Sequence, residues 1–266
     1  MSNSSQDKNG CTNSLVDNML SVLIPAHNEE NHIQGTICDL VRTLEREKIE
    51  HEVLVVNDNS TDYTRDVLDT LSSQFATLRY IHNAPPNGYG RAIKAGLETF
   101  HGECVAIVMA DGSDDPEDLV RFYKKWREGY DCVFGNRFSH QSKVIDYPWP
   151  KFFLNRLGNH LIRLIFHIDY KDTTNAFKLY GRNVIADLTP LQSSGFNLTV
   201  EMPLKAIIRN YNYAVIPNSW YNRKQGVSKW KINETVGGYV SIIFYCYVEQ
   251  RKRRDKARRS ASKSRI

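Results

Sequence analysis

Cysteine, long apolar runs and net charge in the body of the chain are all scarce in this sequence of 266 residues. The five cysteines, Cys11, Cys38, Cys104, Cys132 and Cys246, are scattered, and no two form a Cys-x-x-Cys pair. That spacing argues against a structural zinc module and favours a reducing compartment. The longest uncharged apolar stretch, Val236 to Val248, has thirteen residues between Glu234 and Glu249. A spanning helix needs about 20. Met1 to Asn18 is polar, lacks the apolar centre of a signal peptide and reads as a flexible lead. The chain is therefore expected to have no transmembrane segment of its own. Its net charge of +5 sits in residues 251–266, where nine Lys/Arg face one Asp, while the other 250 residues total −3. This tail reads as disordered at its end and suits anionic lipid, nucleic acid or plain solvation. The body carries no nucleic-acid motif, so nucleic acid is not expected as a partner.

What is present is an alternation of strand and helix patterns. Leu20–Ile24, Val53–Val56, Leu78–Ile81, Cys104–Met109 and Cys132–Phe134 read as strands. Helices are expected over about Glu29–Glu47, Thr64–Ser73, Gly90–Phe100 and Pro116–Glu128. Units of this length imply an α/β fold with a mostly parallel, doubly wound sheet. No repeat or linker divides the chain, so residues 19–232 read as one domain, followed by an apolar helix over 233–250 and the basic tail. Phe152 to Ile168 is amphipathic: Leu154, Leu157, Leu161, Leu164, Ile165 and Ile168 share one face, and Arg156, His160, Arg163 and His167 the other. Spacing alone favours an ordinary half-buried helix over one lying in a membrane interface.

The most informative segment follows the strand at 104–109. Asp111, Asp114, Asp115, Glu117 and Asp118 place five carboxylates in eight residues. Such charges repel unless a cation or a helix N-terminus holds them. Asp115 suits the N-cap of a helix opening at Pro116, and Glu117 and Asp118 complement its dipole. Asp111 leaves the strand before the helix begins, where open α/β sheets place ligands. Ser113 is close enough to share its ligand, and Asp114 is equally suited to capping or binding. Two further polar clusters, Pro25-Ala26-His27-Asn28-Glu29-Glu30 and Asn57-Asp58-Asn59-Ser60, end the first two strands and would lie along the same edge. Asp58 and Glu29 could read a base and ribose, and a divalent ion on Asp111 could hold a diphosphate.

These segments resemble the family 2, GT-A-fold glycosyltransferases, in the branch of dolichyl-phosphate mannose synthase and related polyprenyl-phosphate sugar transferases. The resemblance spans roughly residues 20–232. It is carried by the clusters at 24–29 and 55–62, by Asn87-Gly88-Tyr89-Gly90-Arg91-Ala92, and by the acid turn at 111–117. Downstream it is carried by Gly135-Asn136-Arg137-Phe138, Asp172–Lys178, Glu201–Ala206 and Asn222–Lys229. Met109 stands where the family often has a first Asp, so Asp111 is alone. The resemblance implies nucleotide contacts from Pro25, Ala26, Asn28, Glu29, Asp58, Asn59, Gly88, Arg91, Ala110 and Asp111. It implies Mg2+ or Mn2+ on Asp111 with Ser113, and catalytic roles for Asp111, Arg137, Asp172, Glu201, Arg223 and Lys229.

The implied reaction is inverting transfer of a sugar from a GDP- or UDP-linked donor to a polyprenyl phosphate. Arg137, Arg223 and Lys229 would offset the meeting of two anions. For Asp172 and Glu201 three roles stay open: holding sugar hydroxyls, ordering Arg223, or serving as a base. The alternative is the same fold acting on a saccharide or other hydroxyl acceptor. The implied setting is cytoplasmic, peripheral to the cytoplasmic face of an anionic membrane, with room for a membrane-anchoring subunit.

Overall fold

The computed structural model describes residues 18–222 and 232–263. Its centre is a seven-stranded sheet built from β1 (Leu20–Ala26), β2 (His51–Asn57), β3 (Leu78–His82), β4 (Cys104–Ile107), β5 (Cys132–Asn136), β7 (Lys178–Gly181) and β8 (Tyr213–Pro217), in the order β3-β2-β1-β4-β7-β5-β8. β1 and β2 are buried along their whole length, as strands covered on both faces must be. Leu20, Val22 and Ile24 face α1 (Ile33–Arg46), α2 (Thr64–Gln74) and α4 (Pro116–Trp126). Leu23 faces the other way, against α3 (Tyr89–Leu97), α6 (Arg182–Leu188) and α7 (Leu198–Ile208). The expected mostly parallel α/β architecture is thus present, with the period-two alternation of strand side chains dividing the core into two halves.

One strand runs against the others. β7 is antiparallel to both β4 and β5, with Lys178 opposite Ile107 and Phe134. The remaining strands share one direction, so their carboxyl ends lie on one edge. Because β7 is reversed, it is the segment before it, residues 172–177, that reaches this edge. A two-stranded ribbon, β6 (Val144–Ile145) with β9 (Trp220–Tyr221), lies beside it.

Several expected boundaries move. β4 stops at Ile107 because the chain then turns, with the Met109 N–H donating to the Asp114 carboxylate. α1 begins at Ile33 rather than Glu29, since residues 29–32 form a turn closed by the His32 and Ile33 N–H groups on the Glu29 carbonyl. The amphipathic helix α5 (Trp149–Phe166) corrects the expectation of a half-buried leucine face. Asn159, Ile162 and Phe166 are buried, while Leu154, Leu157, Leu161, Leu164 and Ile165 are exposed. α8 (Ile232–Lys263) continues as helix far beyond residue 250, while residues 264–266, the end of the basic tail, lie outside the described residues. Arg, Lys and Ala favour helix, and Arg251 and Arg253 pair one turn back with Tyr247 and Glu249. Among the described residues, no helix is long and apolar enough to cross a membrane.

Two local features allow direct tests. A Cβ on Gly90 would sit 2.8–2.9 Å from backbone atoms of Ser193, Ser194 and Gly195. Gly90→Ala should destabilise the protein by about 1–3 kcal/mol despite better helix propensity, read as a fall of several degrees in Tm. An unchanged Tm would show that the loop yields freely. Lys178 is buried, and its ammonium donates to the carbonyls of Thr173, Asn175 and Thr199. Burial pushes its pKa down to about 7, against the pull of Asp172. An unfolded lysine titrates near ~10.4, so between these values the unfolded state binds more protons and stability rises with pH. The unfolding free energy of the wild type relative to Lys178→Met should therefore climb between about pH 7 and 9, approaching ~1.4 kcal/mol per pH unit. A flat difference in denaturant titrations would contradict this.

Candidate active site

The first half of the edge is a stitched pair of turns. The Asn28 N–H donates to Ser60 Oγ at 2.9 Å, the Asn28 Oδ1 accepts from the Thr61 N–H at 2.7 Å, and the Glu29 N–H donates to Thr64 Oγ1 at 2.8 Å. Asn28 and Asn59 both adopt left-handed backbone, with φ of 53° and 55°, which asparagine tolerates best among non-glycine residues. Pro25 and Ala26 are buried beneath, so they shape the floor through their backbone.

Asp58 is only 3% exposed. One carboxylate oxygen accepts from Asn83 Nδ2 and the other from the Gly88 N–H, each at 2.7 Å. It therefore clamps the end of β2 to the turn that opens α3. Asn59 reaches the same turn through Asn87 at 3.3 Å. Arg91 projects outward from the first turn of α3, with its N–H also on the Ser194 carbonyl. The sequence pointed to Asp58, but its partner Asn83 carries no signal beyond being an asparagine after a strand.

The acid knot separates into distinct jobs. Asp115 caps α4 by accepting from the Glu117 N–H at 2.9 Å. Glu117 pairs with Arg46, and Asp118 with Arg121 and the Ser219 N–H. Asp114 neither caps nor faces outward; it is buried on the Met109 N–H at 3.0 Å. Burial pushes its carboxyl up to about 7, against the pull of that N–H. Asp111 remains at the surface of the turn, which Gly112 makes possible with φ +68°. The Asp111 Oδ1 accepts from the Ser113 N–H at 3.2 Å, and the Ala110 carbonyl accepts from Thr36. Ser113 itself is buried, and its carbonyl holds the Tyr221 N–H of β9. A cleft of about 260 Å³ opens beside Asp111, lined by His32, Thr36, Asp39 and Asp114 among others. Among the described residues no three His, Cys, Asp or Glu side chains converge as a metal cage. Among the described residues the turn itself offers the Asp111 carboxylate, with Asp39 lining the same cleft, which fits a divalent ion that draws further oxygens from a bound diphosphate.

The second half of the edge centres on a buried ion pair. The Arg137 Nε and Nη2 donate to the two oxygens of Asp172 at 2.9 and 2.8 Å, and the Arg137 backbone N–H adds a third bond at 3.0 Å. Burial disfavours the charge on Arg137, but Asp172 more than offsets it and raises its pKa. The rings of Phe138 and Tyr147 lie 5.5 and 5.9 Å from the guanidinium carbon. Glu201 is fully buried and fixed by Lys205 at 2.8 Å and by the N–H groups of Gln192 and Ser193. Burial opposes its ionisation, yet these donors hold its pKa below the usual carboxylate range. It thus anchors the loop that backs Gly88 and Gly90 rather than projecting into the open edge. Asp172 is likewise engaged with Arg137. Arg223 and Lys229 lie outside the described residues.

Chain comparison places this site among known proteins. The family model described as "Glycosyl transferase family 2" matches residues 21–189. The chain is 28% identical over 214 residues to a polyprenol monophosphomannose synthase from Mycolicibacterium smegmatis, covering 78% of this chain and 79% of that one. It is 31% identical over 167 residues to an uncharacterized glycosyltransferase, sll0501, from Synechocystis, covering 62% of this chain but only 51% of that protein, so it spans about half of that relative's length. The fold is similar to glucosyl-3-phosphoglycerate synthase from Mycobacterium tuberculosis solved with UDP, with a TM-score of 0.64 at 16% identity, covering 91% and 87% of the two chains. It is also similar to the same enzyme in complex with Mn2+, UDP-glucose and phosphoglyceric acid, with a TM-score of 0.65 at 14% identity over 91% and 86%. The family match extends over more than half of the sequence and carries both the stitched turns and the acid knot, and the chain belongs to glycosyl transferase family 2 as a glycosyltransferase of GT-A fold.

Proposed function

We propose that this glycosyltransferase moves a sugar from a GDP- or UDP-linked donor to a polyprenyl phosphate, working peripherally at the cytoplasmic face of a membrane. The observation that carries this reading is the outward apolar face of α5. Trp149 is 71% exposed, Phe153 53%, Leu157 57% and Leu164 57%, with Phe152, Leu154, Leu161 and Ile165 beside them. Isolated exposed hydrophobes are ordinary, but a continuous row on one helix marks an interaction surface. Its amino end meets the site, where Phe152 packs 5.4 Å from Phe138, the residue after Arg137. An acceptor with an anionic head and a hydrocarbon tail matches that junction. The name of the mycobacterial relative supports the same acceptor class.

The chemistry asks little of a general base. A phosphate monoester has a second pKa near ~6, so the acceptor is largely dianionic at neutral pH. Its oxygen forms a bond to the anomeric carbon while the bond from that carbon to the donor diphosphate breaks, taking its electron pair with the leaving group and inverting the centre. Arg137, oriented by Asp172 through Nε and Nη2, is proposed to offset the approach of the two anions as a fixed positive charge. Arg223 and Lys229 are proposed to add charge. Pro25, Ala26, Asn28, Glu29, Asn59, Gly88 and Arg91 are proposed to contact the donor nucleotide, with Asp58 joining the end of β2 to the turn that opens α3. Asp111 would hold Mg2+ or Mn2+, which when bound stabilises the charge of the departing diphosphate.

Two outcomes are expected. A donor screen against one polyprenyl phosphate, read by mass, should give a lipid-linked sugar; product only with a soluble saccharide would replace this reading with the hydroxyl-acceptor one. Asp111→Ala should lower metal-stimulated turnover by at least about a hundredfold, the scale of losing one electrostatic stabiliser. Activity that persists and still responds to added Mn2+ would place the metal elsewhere.

A further inference from the structure

The end of α8 is a large feature that this reaction does not use. Residues 251–260 are all exposed and include Arg251, Lys252, Arg253, Arg254, Lys256, Arg258 and Arg259 against a single Asp255. The first part of the helix is firmly seated. Ile242 and Cys246 pack with Ile162 and Phe166 of α5 and with Val200 and Leu204 of α7. Glu249 pairs with Arg209 at 2.9 Å, and Gln250 reaches the Phe166 carbonyl. From residue 251 on, the same helix continues as an arm whose direction is set by that packing. Its outward stripe changes character along its length. Val240 is 62% exposed and Phe244 67%. Steps of seven residues keep one helix face, so the stripe that holds Phe244 continues into Arg251 and Arg258.

We infer that the exposed basic end of α8 is a reader of anionic lipid, so that the domain docks by two separate signals, this cationic arm and the exposed apolar face of α5. This rests on the membrane-surface reading above and adds to it a lipid selectivity. The argument is charge complementarity. An all-polar helix carrying this many cations buries no apolar surface and gains nothing from a neutral partner. Against a negatively charged leaflet each Lys or Arg near the surface contributes about 1 kcal/mol. The exposed side chains of α5 supply apolar insertion but little discrimination between headgroups. One apolar signal and one polybasic signal together give stable peripheral attachment where either alone is marginal.

Vesicle sedimentation of the full chain tests this without donor or acceptor. Wild-type protein should bind phosphatidylcholine vesicles containing about one third phosphatidylserine far more tightly than phosphatidylcholine alone, and lose the difference in high salt. Replacing Lys252, Arg254, Arg258 and Arg259 together by Gln, which preserves helix propensity, should reduce binding to the mixed vesicles on the order of several hundredfold. Binding to neutral vesicles should not change. Leu157→Ser with Leu161→Ser should weaken both vesicle types alike. Equal affinity of the wild type for the two vesicle types, or an undiminished preference in the Gln variant with helix content intact by circular dichroism, would overturn the inference. So would stronger binding to a duplex oligonucleotide than to the mixed vesicles. Since no turnover is read, a failed lipid-acceptor assay with intact vesicle selectivity would reject the acceptor alone.

Discussion

The pairing of Arg137 with Asp172 is the constraint on which the rest of the site depends. A buried guanidinium and a buried carboxylate are each costly, and removing one partner would leave an uncompensated charge at a cost of about 3–5 kcal/mol. The pair joins the end of β5 to the segment that precedes β7, two stretches brought together only because β7 runs backwards through the sheet. Its neighbours keep it in register. Asn175 donates to Asn218 at 2.9 Å directly over Gly135, where a Cβ would lie 2.5 Å from Asn218. The guanidinium is held by Asp172, and the Asn175–Asn218 bond fixes the segment that carries that carboxylate against β5.

A second organising element is the loop over residues 192–197. It touches α3 through Gly88, Gly90 and the Arg91 N–H, and α7 through the Glu201 carboxylate. It touches α8 through Asn197 with the Gly238 carbonyl and Tyr239 with the Phe196 carbonyl. Phe196 also stacks on Tyr89 at 4.4 Å. The turn that opens α3 and the helix α8 thus lean on the same six residues.

Much of this was legible in the sequence, and the limits have physical reasons. Continuous β-branched runs identify β1, β2 and β4, because a strand buried on both faces needs no alternation. Pro116 after Asp115 identifies the start of α4, because capping is local chemistry. What depends on distant partners was not legible. The pattern of α5 shows two faces but not which is inward, and the answer came from Ile162, Phe166 and Asn159 meeting α7, α8 and Thr173. Glu201 reads as a candidate base until Lys205 and two backbone N–H groups surround it. The reversal of β7 has no local signature. The basic end looks like a solvated tail because it has no apolar face, yet its residues are good helix formers continuing a helix that is already nucleated.

The outward face of α5 also makes the protein a particle with two solvents. Around most of its surface, charged and polar groups keep copies apart in water. Along this helix a continuous row of tryptophan, phenylalanine and leucine side chains stands where water gains nothing by touching them. A face of this kind is where contact with another apolar surface would cost the molecule less than contact with water.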